Sequence, residues 1–321
     1  MEQSMVQTQT ARILREPMSE VDIARNLKWR RLKNFMFSVV GLLTLLFAIC
    51  TLLALFIDLA MTGVPRISAE FFTNFPSRFP EKAGILSAWV GSLAVMVTTA
   101  FVAIPIGVAA GIYLEEYAPK NFFTKIIELN IINLAGVPSI TFGLMALGLF
   151  VYKFKFGQSI LTAGMTLGLL VLPIVIVTTR EAIRTIPNSI REASFGLGAS
   201  HWQTIQYHVL PYSSGGILTG VIISLSRAIG ETAPLITIGA LTFIAFLPTA
   251  PVSDVFPYVS FQWLHDAFTV MPIQMFDWVS RPQQQFHVNA AATGTVLLVM
   301  TLLMNGVAIY IRYRFRRRMK W

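Results

Sequence analysis

The feature that most constrains this chain is its series of long apolar blocks, at roughly 34–61, 86–114, 126–151, 159–180, 213–247 and 288–311. Each reaches the ~20 residues that carry a helix across the hydrocarbon core of a bilayer. Lipid offers no water to the backbone, so only helices or closed barrels span it, and these blocks are too continuous for barrel strands of about ten residues. They predict an all-α integral membrane protein with six transmembrane helices. Asp, Glu, Lys and Arg make up 13% of the 321 residues, about half the share in a soluble domain. A charge inside an apolar block is therefore informative.

The first block follows a polar tail, 1–33. It is too long for a signal-peptide core and no small-residue cleavage site follows, so it reads as a retained span. Lys and Arg set the orientation. With the N-terminus in the cytoplasm, eighteen lie inside and six outside, and Arg227 alone lies within a span. The inside group comprises the tail, Lys120, Lys125, Arg180, Arg184, Arg191 and the closing RYRFRRRMKW. This bias predicts two cytoplasmic termini, with a six-span domain over 34–312 and a basic tail at 313–321. It also accounts for the net charge of +9 without nucleic acid.

Several chemistries are excluded. Cys50 is the single cysteine, so no internal disulfide forms. The histidines lack metal-ligand spacing, which leaves no zinc cluster and no implied cofactor. No glycine is followed by lysine, so there is no Walker A loop and no direct ATP binding. Between spans, 248–287 is aromatic and broken by Pro248, Pro251, Pro257, Pro272 and Pro282. Its Trp and Tyr content predicts an external segment on the membrane interface, acting as an anchor or as part of a mouth.

The stretch LSRAIGETAPL, residues 225–235, places Arg227 fourteen residues into the fifth block. That is ~21 Å along a helix. An uncompensated arginine near mid-membrane costs at least about 2.5–3.5 kcal/mol. Glu231 lies four residues on, so on a continuous helix the two share a face with Gly220 and Ser224, opposite Ile222, Leu225 and Ile229. At 4 Å and an effective dielectric near 20 their attraction is about 4 kcal/mol, which offsets much of the insertion cost. Gly230 and Pro234 weaken the helix just beyond. The pair either glues helices together or lines a translocation path. On a path, the planar fork of Arg227 suits an oxyanion, and Glu231 holds the arginine when no anion is present. In the third block, Gly136 and Pro138 predict a break, with Ser139 a candidate path hydroxyl.

The segment 181–212 carries a second signal. Pro187 suits a helix start, and Ile190, Ala193 and Leu197 recur at helical spacing. A greasy face on a cytoplasmic loop needs the membrane surface or a protein partner.

From Glu192 to Pro211, EASFGLGASHWQTIQYHVLP resembles the EAA loop of ABC importer permeases, with Glu192, Ala193, Gly198, Leu210 and Pro211 at the family spacing. Ser194 and His208 depart from the pattern. RAIGETAPL, IPIGVAAGIYLEEYAP and NLAGVPSITFGL look like signatures of the phosphate branch, and GETAPL resembles its PstA-type subunit more than its PstC-type partner. The resemblance covers about 34–316. It implies the type I importer permease fold, with a coupling helix over Ile190, Glu192, Ala193, Leu197 and Gly198. It also implies a PstC-type second permease, two cytoplasmic ATPase subunits that consume the ATP, an external phosphate-binding protein, and inorganic phosphate crossing past Arg227, Glu231, Ser224 and Ser139. Sulfate or molybdate import, ion-driven transport and a scaffold role in phosphate sensing remain open alternatives.

Overall fold

The computed structural model describes residues 20–252 and 258–318. The tail residues 1–19, Pro257 and the closing residues 319–321 lie outside them. Two compact units are present, one up to Asp58 and one from Leu59 onward. Helix α1 (Glu20–Gly63) is helical from well before the first apolar block. Its side chains from Asn26 to Leu55 are exposed, including Phe37, Phe47 and Leu52, as suits a helix solvated by lipid.

Among the described residues, the regular structure of the second unit is helical, apart from an isolated bridge between Val252 and Val259. A short helix α2 (Ala69–Thr73), capped by Ser68, leads to α3 (Leu86–Ile112), which ends in a wide π turn, Tyr113–Tyr117. Then come α4 (Phe122–Leu134) and α5 (Ser139–Ala146), the latter continued by a π turn to Lys153. Helix α6 (Ile160–Arg184) is the most buried long helix. It is followed by α7 (Asn188–Gly196), α8 (His201–Thr204), α9 (Leu210–Ile229), α10 (Ala233–Thr237), α11 (Met271–Val279) and α12 (Gln284–Arg318).

Helix α6 is central because both neighbours approach it through glycine. A Cβ at Gly107 or Gly111 of α3 would strike Val175 or Thr179 of α6, and one at Gly220 of α9 would strike Thr178. Gly164 of α6 meets Thr98 of α3 in the same way. Small residues let apolar helices pack backbone to backbone where lipid supplies no hydrophobic drive. Leu167, Leu170 and Val171 of α6 then join Val95, Ala103, Ala228 and Ile229 in one core.

Two expectations are corrected, while the break within 126–151 falls where Gly136 and Pro138 predict it: Phe122–Leu134 and Ser139–Lys153 meet at 104°. Gly136 and Pro138 sit in the connection, where proline lacks the N–H that an unbroken helix would use. The block 213–247 is not one helix, since α9 stops at Ile229 with Gly230 as its C-cap. Its start shifts the other way. Residues 201–209 are already helical, begun by a capping box between Ser200 and Gln203. Before Pro211, the Leu210 N–H bonds to the Ile205 carbonyl, five residues back. Finally, the aromatic segment is only partly interfacial. Phe268 and Trp278 are buried, Trp278 packs on Phe71 and Phe286, and the Met271 N–H donates to Ser92 Oγ on α3 at 2.9 Å. Phe261 and Tyr258 stay exposed.

Gly91 of α3 tests this close packing, because a Cβ there would meet the Thr269 carbonyl oxygen, which cannot swing aside as a side chain would. Gly91→Ala is expected to destabilise the purified protein by about 1–3 kcal/mol, read as a lower melting temperature in detergent. Gly215→Ala faces open space on α9 and should leave melting unchanged or raise it.

Candidate functional site

Arg227 lies in the last turn of α9 and Glu231 just beyond the helix end. They are therefore not on one continuous helical face. The chain still turns tightly there, with the Gly230 N–H on the Arg227 carbonyl and the Glu231 N–H on the Ala228 carbonyl. This brings Arg227 Nε within 3.3 Å of Glu231 Oε1. The location favours the cation, because the carbonyl end of a helix carries partial negative charge. The two side chains are 40% and 18% exposed, so the pair presents an open, charged face instead of filling a core.

The other residues expected on the path are placed differently. Ser224 is buried and its hydroxyl donates to the Gly220 carbonyl at 2.8 Å. It is enclosed with its hydroxyl already engaged, whereas the Arg227 side chain three residues on is open. Ser139 is half-buried at the start of α5. Helix α5 packs on α10, immediately past Glu231, and a Cβ at Gly143 would lie 2.7 Å from Pro234 Cα. The break before Ser139 and the end of α9 thus flank one region. A polar contact absent from the sequence reading lies close by: Ser226 Oγ donates to Asn305 Oδ1 of α12. Asn305 was the signal, a lone amide in an apolar run.

At the other end of α9, helix α7 realises the short amphipathic helix, over Asn188–Gly196 after Pro187. Its C-terminus closes as a Schellman motif. The Ala199 N–H bonds to the Ser194 carbonyl, the Gly198 N–H bonds to the Phe195 carbonyl, and Gly198 adopts φ +85°. That backbone explains the glycine in the motif. The packing is the reverse of a soluble surface helix. Ser194 is buried, sharing a 2.9 Å hydrogen bond with Thr204, while Ala193, Phe195 and Leu197 are exposed, Leu197 at 89%. Glu192 is exposed beside them and Ile190 is half-buried.

Sequence reasoning missed how α7 is attached. Arg191 Nη2 lies 2.6 Å from Glu116 Oε1, with side-chain exposures of 15% and 5%, and Arg191 Nη1 donates to the Ile186 carbonyl at 2.7 Å. His201 Nε2 is 3.1 Å from the Glu116 carbonyl, its ring edge-on to Tyr117 and stacked on Phe195. The adjacent Glu115 lies 2.9 Å from Arg184 Nε and 3.5 Å from Arg180 Nε, and Glu128 of α4 lies 2.6 Å from Arg180 Nη2. The π turn Tyr113–Tyr117 therefore ties α7 to the ends of α3, α4 and α6. The only sequence cue was Glu115 and Glu116 at the end of an apolar block, far from their arginines.

The bundle thus carries a charged pair at a helix break near one end of α9 and an exposed apolar helix clamped near the other. The model of a family described as the inner membrane component of binding-protein-dependent transport systems matches residues 103–321. The chain belongs to that family. It is 30% identical over 292 residues to the phosphate transport system permease protein PstA of Pasteurella multocida, covering 91% of this chain and 97% of that one. It is 33% identical over 242 residues to the PstA protein of Haemophilus influenzae, covering 75% and 85%. Among solved structures, a bacterial ABC transporter involved in import of the acidic polysaccharide alginate matches with a TM-score of 0.61 at 14% identity, over 90% of this chain and 99% of that one. The inward-facing MetNI methionine ABC transporter matches with a TM-score of 0.54 at 15% identity, over 70% and 93%. These two likenesses establish the type I importer permease fold.

The Arg191–Glu116 link makes a test of this permease. Removing one partner of a buried pair costs about 3–5 kcal/mol, because the other charge is left uncompensated. Arg191→Glu and Glu116→Arg are each expected to lower transport at least tenfold at unchanged membrane level. The double exchange should recover a large part of it, measured as solute uptake in cells.

Proposed function

We propose that this permease is the PstA-type half of an ATP-driven phosphate importer. It pairs with a PstC-type second permease, sits on two cytoplasmic ATPase subunits, and receives inorganic phosphate from an external binding protein. Both termini face the cytoplasm in this reading, following the Lys and Arg bias. ATP is consumed by the partner ATPase and not by this chain. The observation that carries the proposal is the Arg227–Glu231 pair, an arginine in the last turn of an apolar helix that is held by a carboxylate and yet open on one side.

The chemistry follows from that geometry. Phosphate presents several oxygens, and a guanidinium donates to two of them at once. Arg227 contacts the anion. Glu231 repels it and so acts by holding the arginine in place when the path is empty and yielding it when phosphate arrives. Ser139, at the break before α5, supplies a hydroxyl to the same region. The exposed Leu197, Ala193 and Phe195 of α7 dock on the ATPase, with Glu192 and Ile190 flanking them. Closure of the ATPase pair moves α7, and the Arg191–Glu116 link carries that displacement to α3 and α6.

Radiolabelled phosphate uptake in cells lacking this gene tests the substrate and the site together, with sulfate as control. Wild type should restore phosphate uptake alone. Arg227→Gln should abolish it while the protein reaches the membrane and still associates with its ATPase. Unchanged uptake in that variant would make the pair a structural brace. Leu197→Asp places a charge in the docking face and is expected to abolish stimulation of ATP hydrolysis by the loaded binding protein; normal stimulation would remove the docking role.

A further inference from the structure

A second charged site lies at the end of the bundle that bears α7. A cavity of about 340 Å³ opens there between the π turn after α3, the start of α4 and the end of α6. Its walls carry Lys120, Lys125, Arg180 and Arg184 against two carboxylates, Glu115 and Glu128, which leaves a surplus of two positive charges. The volume is far more than a single water needs.

Arg180 is the buried element of this wall, its side chain 6% exposed. Its Nη2 lies close to Glu128 and its Nε faces Glu115, but neither nitrogen makes an aligned hydrogen bond. A buried guanidinium with unsatisfied donors is costly unless an acceptor completes it. The first turn of α4 borders the same cavity, with Asn121 as N-cap accepting from the Thr124 N–H, so the partial positive charge of the helix start adds to the field. Lys120 and Lys125 stand exposed at the rim.

We infer that this cavity is an anion site for a phosphate group, and that the group belongs to the head of an anionic phospholipid. The loop that supplies the two lysines also displays Phe122 and Phe123, each 74% exposed. Two exposed apolar rings beside a basic pocket suit a loop whose rings enter the acyl boundary of a leaflet while its pocket meets the anionic heads. Free inorganic phosphate shares the same chemistry. An occupant neutralises Arg184 and Arg180 next to Glu115, one residue from the Glu116 that holds α7. This site is separate from Arg227 and does not depend on the nature of the transported solute.

The test is native mass spectrometry on the purified transporter complex containing the full chain, with phosphatidylglycerol, phosphatidylcholine and inorganic phosphate as probes. Wild type should retain phosphatidylglycerol over phosphatidylcholine. Lys120→Gln with Lys125→Gln should weaken that retention by about fivefold per lysine, the scale of a basic residue at a membrane surface, while Lys120→Arg with Lys125→Arg preserves it. Both lysines are exposed, and an unchanged melting temperature checks that the variants fold. If inorganic phosphate displaces the lipid, or binds in its place with the same sensitivity to the lysines and none to Arg227→Gln, the anion site stands with free phosphate as its occupant. Equal retention of both lipids by wild type, or retention indifferent to the lysine changes with no lysine-dependent phosphate binding, overturns the inference.

Discussion

Backbone-to-backbone contact on two sides of α6 is the constraint on which the other parts depend. Glycines at 107, 111 and 164 bring α3 onto it, and Gly220 does the same for α9. In lipid, such contact substitutes for the hydrophobic drive that would hold helices together in water. It makes α3, α6 and α9 one rigid group. Both functional ends of the molecule are extensions of that group. The π turn with Glu115 and Glu116 continues α3, Arg180 and Arg184 end α6, and Arg227 ends α9.

The distribution of charge obeys the same logic. Arg180 is buried and two carboxylates surround it, whereas Arg227 is 40% exposed with one. The first arrangement ties helix ends together by charge, although two of the Arg180 donors lack an aligned acceptor. The second leaves a cation able to take another partner. Arg191 is intermediate: half-buried against Glu116, it also donates to the Ile186 carbonyl, so α7 is fastened to the connection from α6 as well as to the π turn after α3. The attachment of α7 to the bundle is thus polar, while its apolar side chains remain available outward.

Much of this was legible in the residues. The apolar blocks marked the spans, Pro187 and the spacing of Ile190, Ala193 and Leu197 marked α7, and Gly136 with Pro138 marked the break. Sequence reasoning failed where long-range geometry decides. The pattern through 213–247 is apolar on both sides of Gly230, so hydropathy alone runs one helix through a point where the backbone turns away. Ser224 shares a helical face with Arg227, but it is enclosed where Arg227 is open, which periodicity does not report. The Glu116–Arg191 link joins residues 75 apart in the chain, and no local periodicity reports such a pair. Trp278 looked like an interfacial ring because aromatic content does not distinguish a ring at the water boundary from one enclosed by Phe71 and Phe286.

The π turn at Tyr113–Tyr117 has a further consequence for how sequences of this kind can drift. A π turn holds one residue more than the α-helical turn it replaces, closed here by the Ala118 N–H on the Tyr113 carbonyl. Deleting Tyr113 or Leu114 would let the segment relax to ordinary α-helix and rotate the chain beyond it by roughly 100°. Glu115 and Glu116 would then point away from three arginines at once. Insertions and deletions are thus filtered at this spot by angular phase, while point changes at Tyr113 or Tyr117 leave the phase intact. The length of the turn, more than the identity of its outer residues, is the property that lineages carrying this contact must keep.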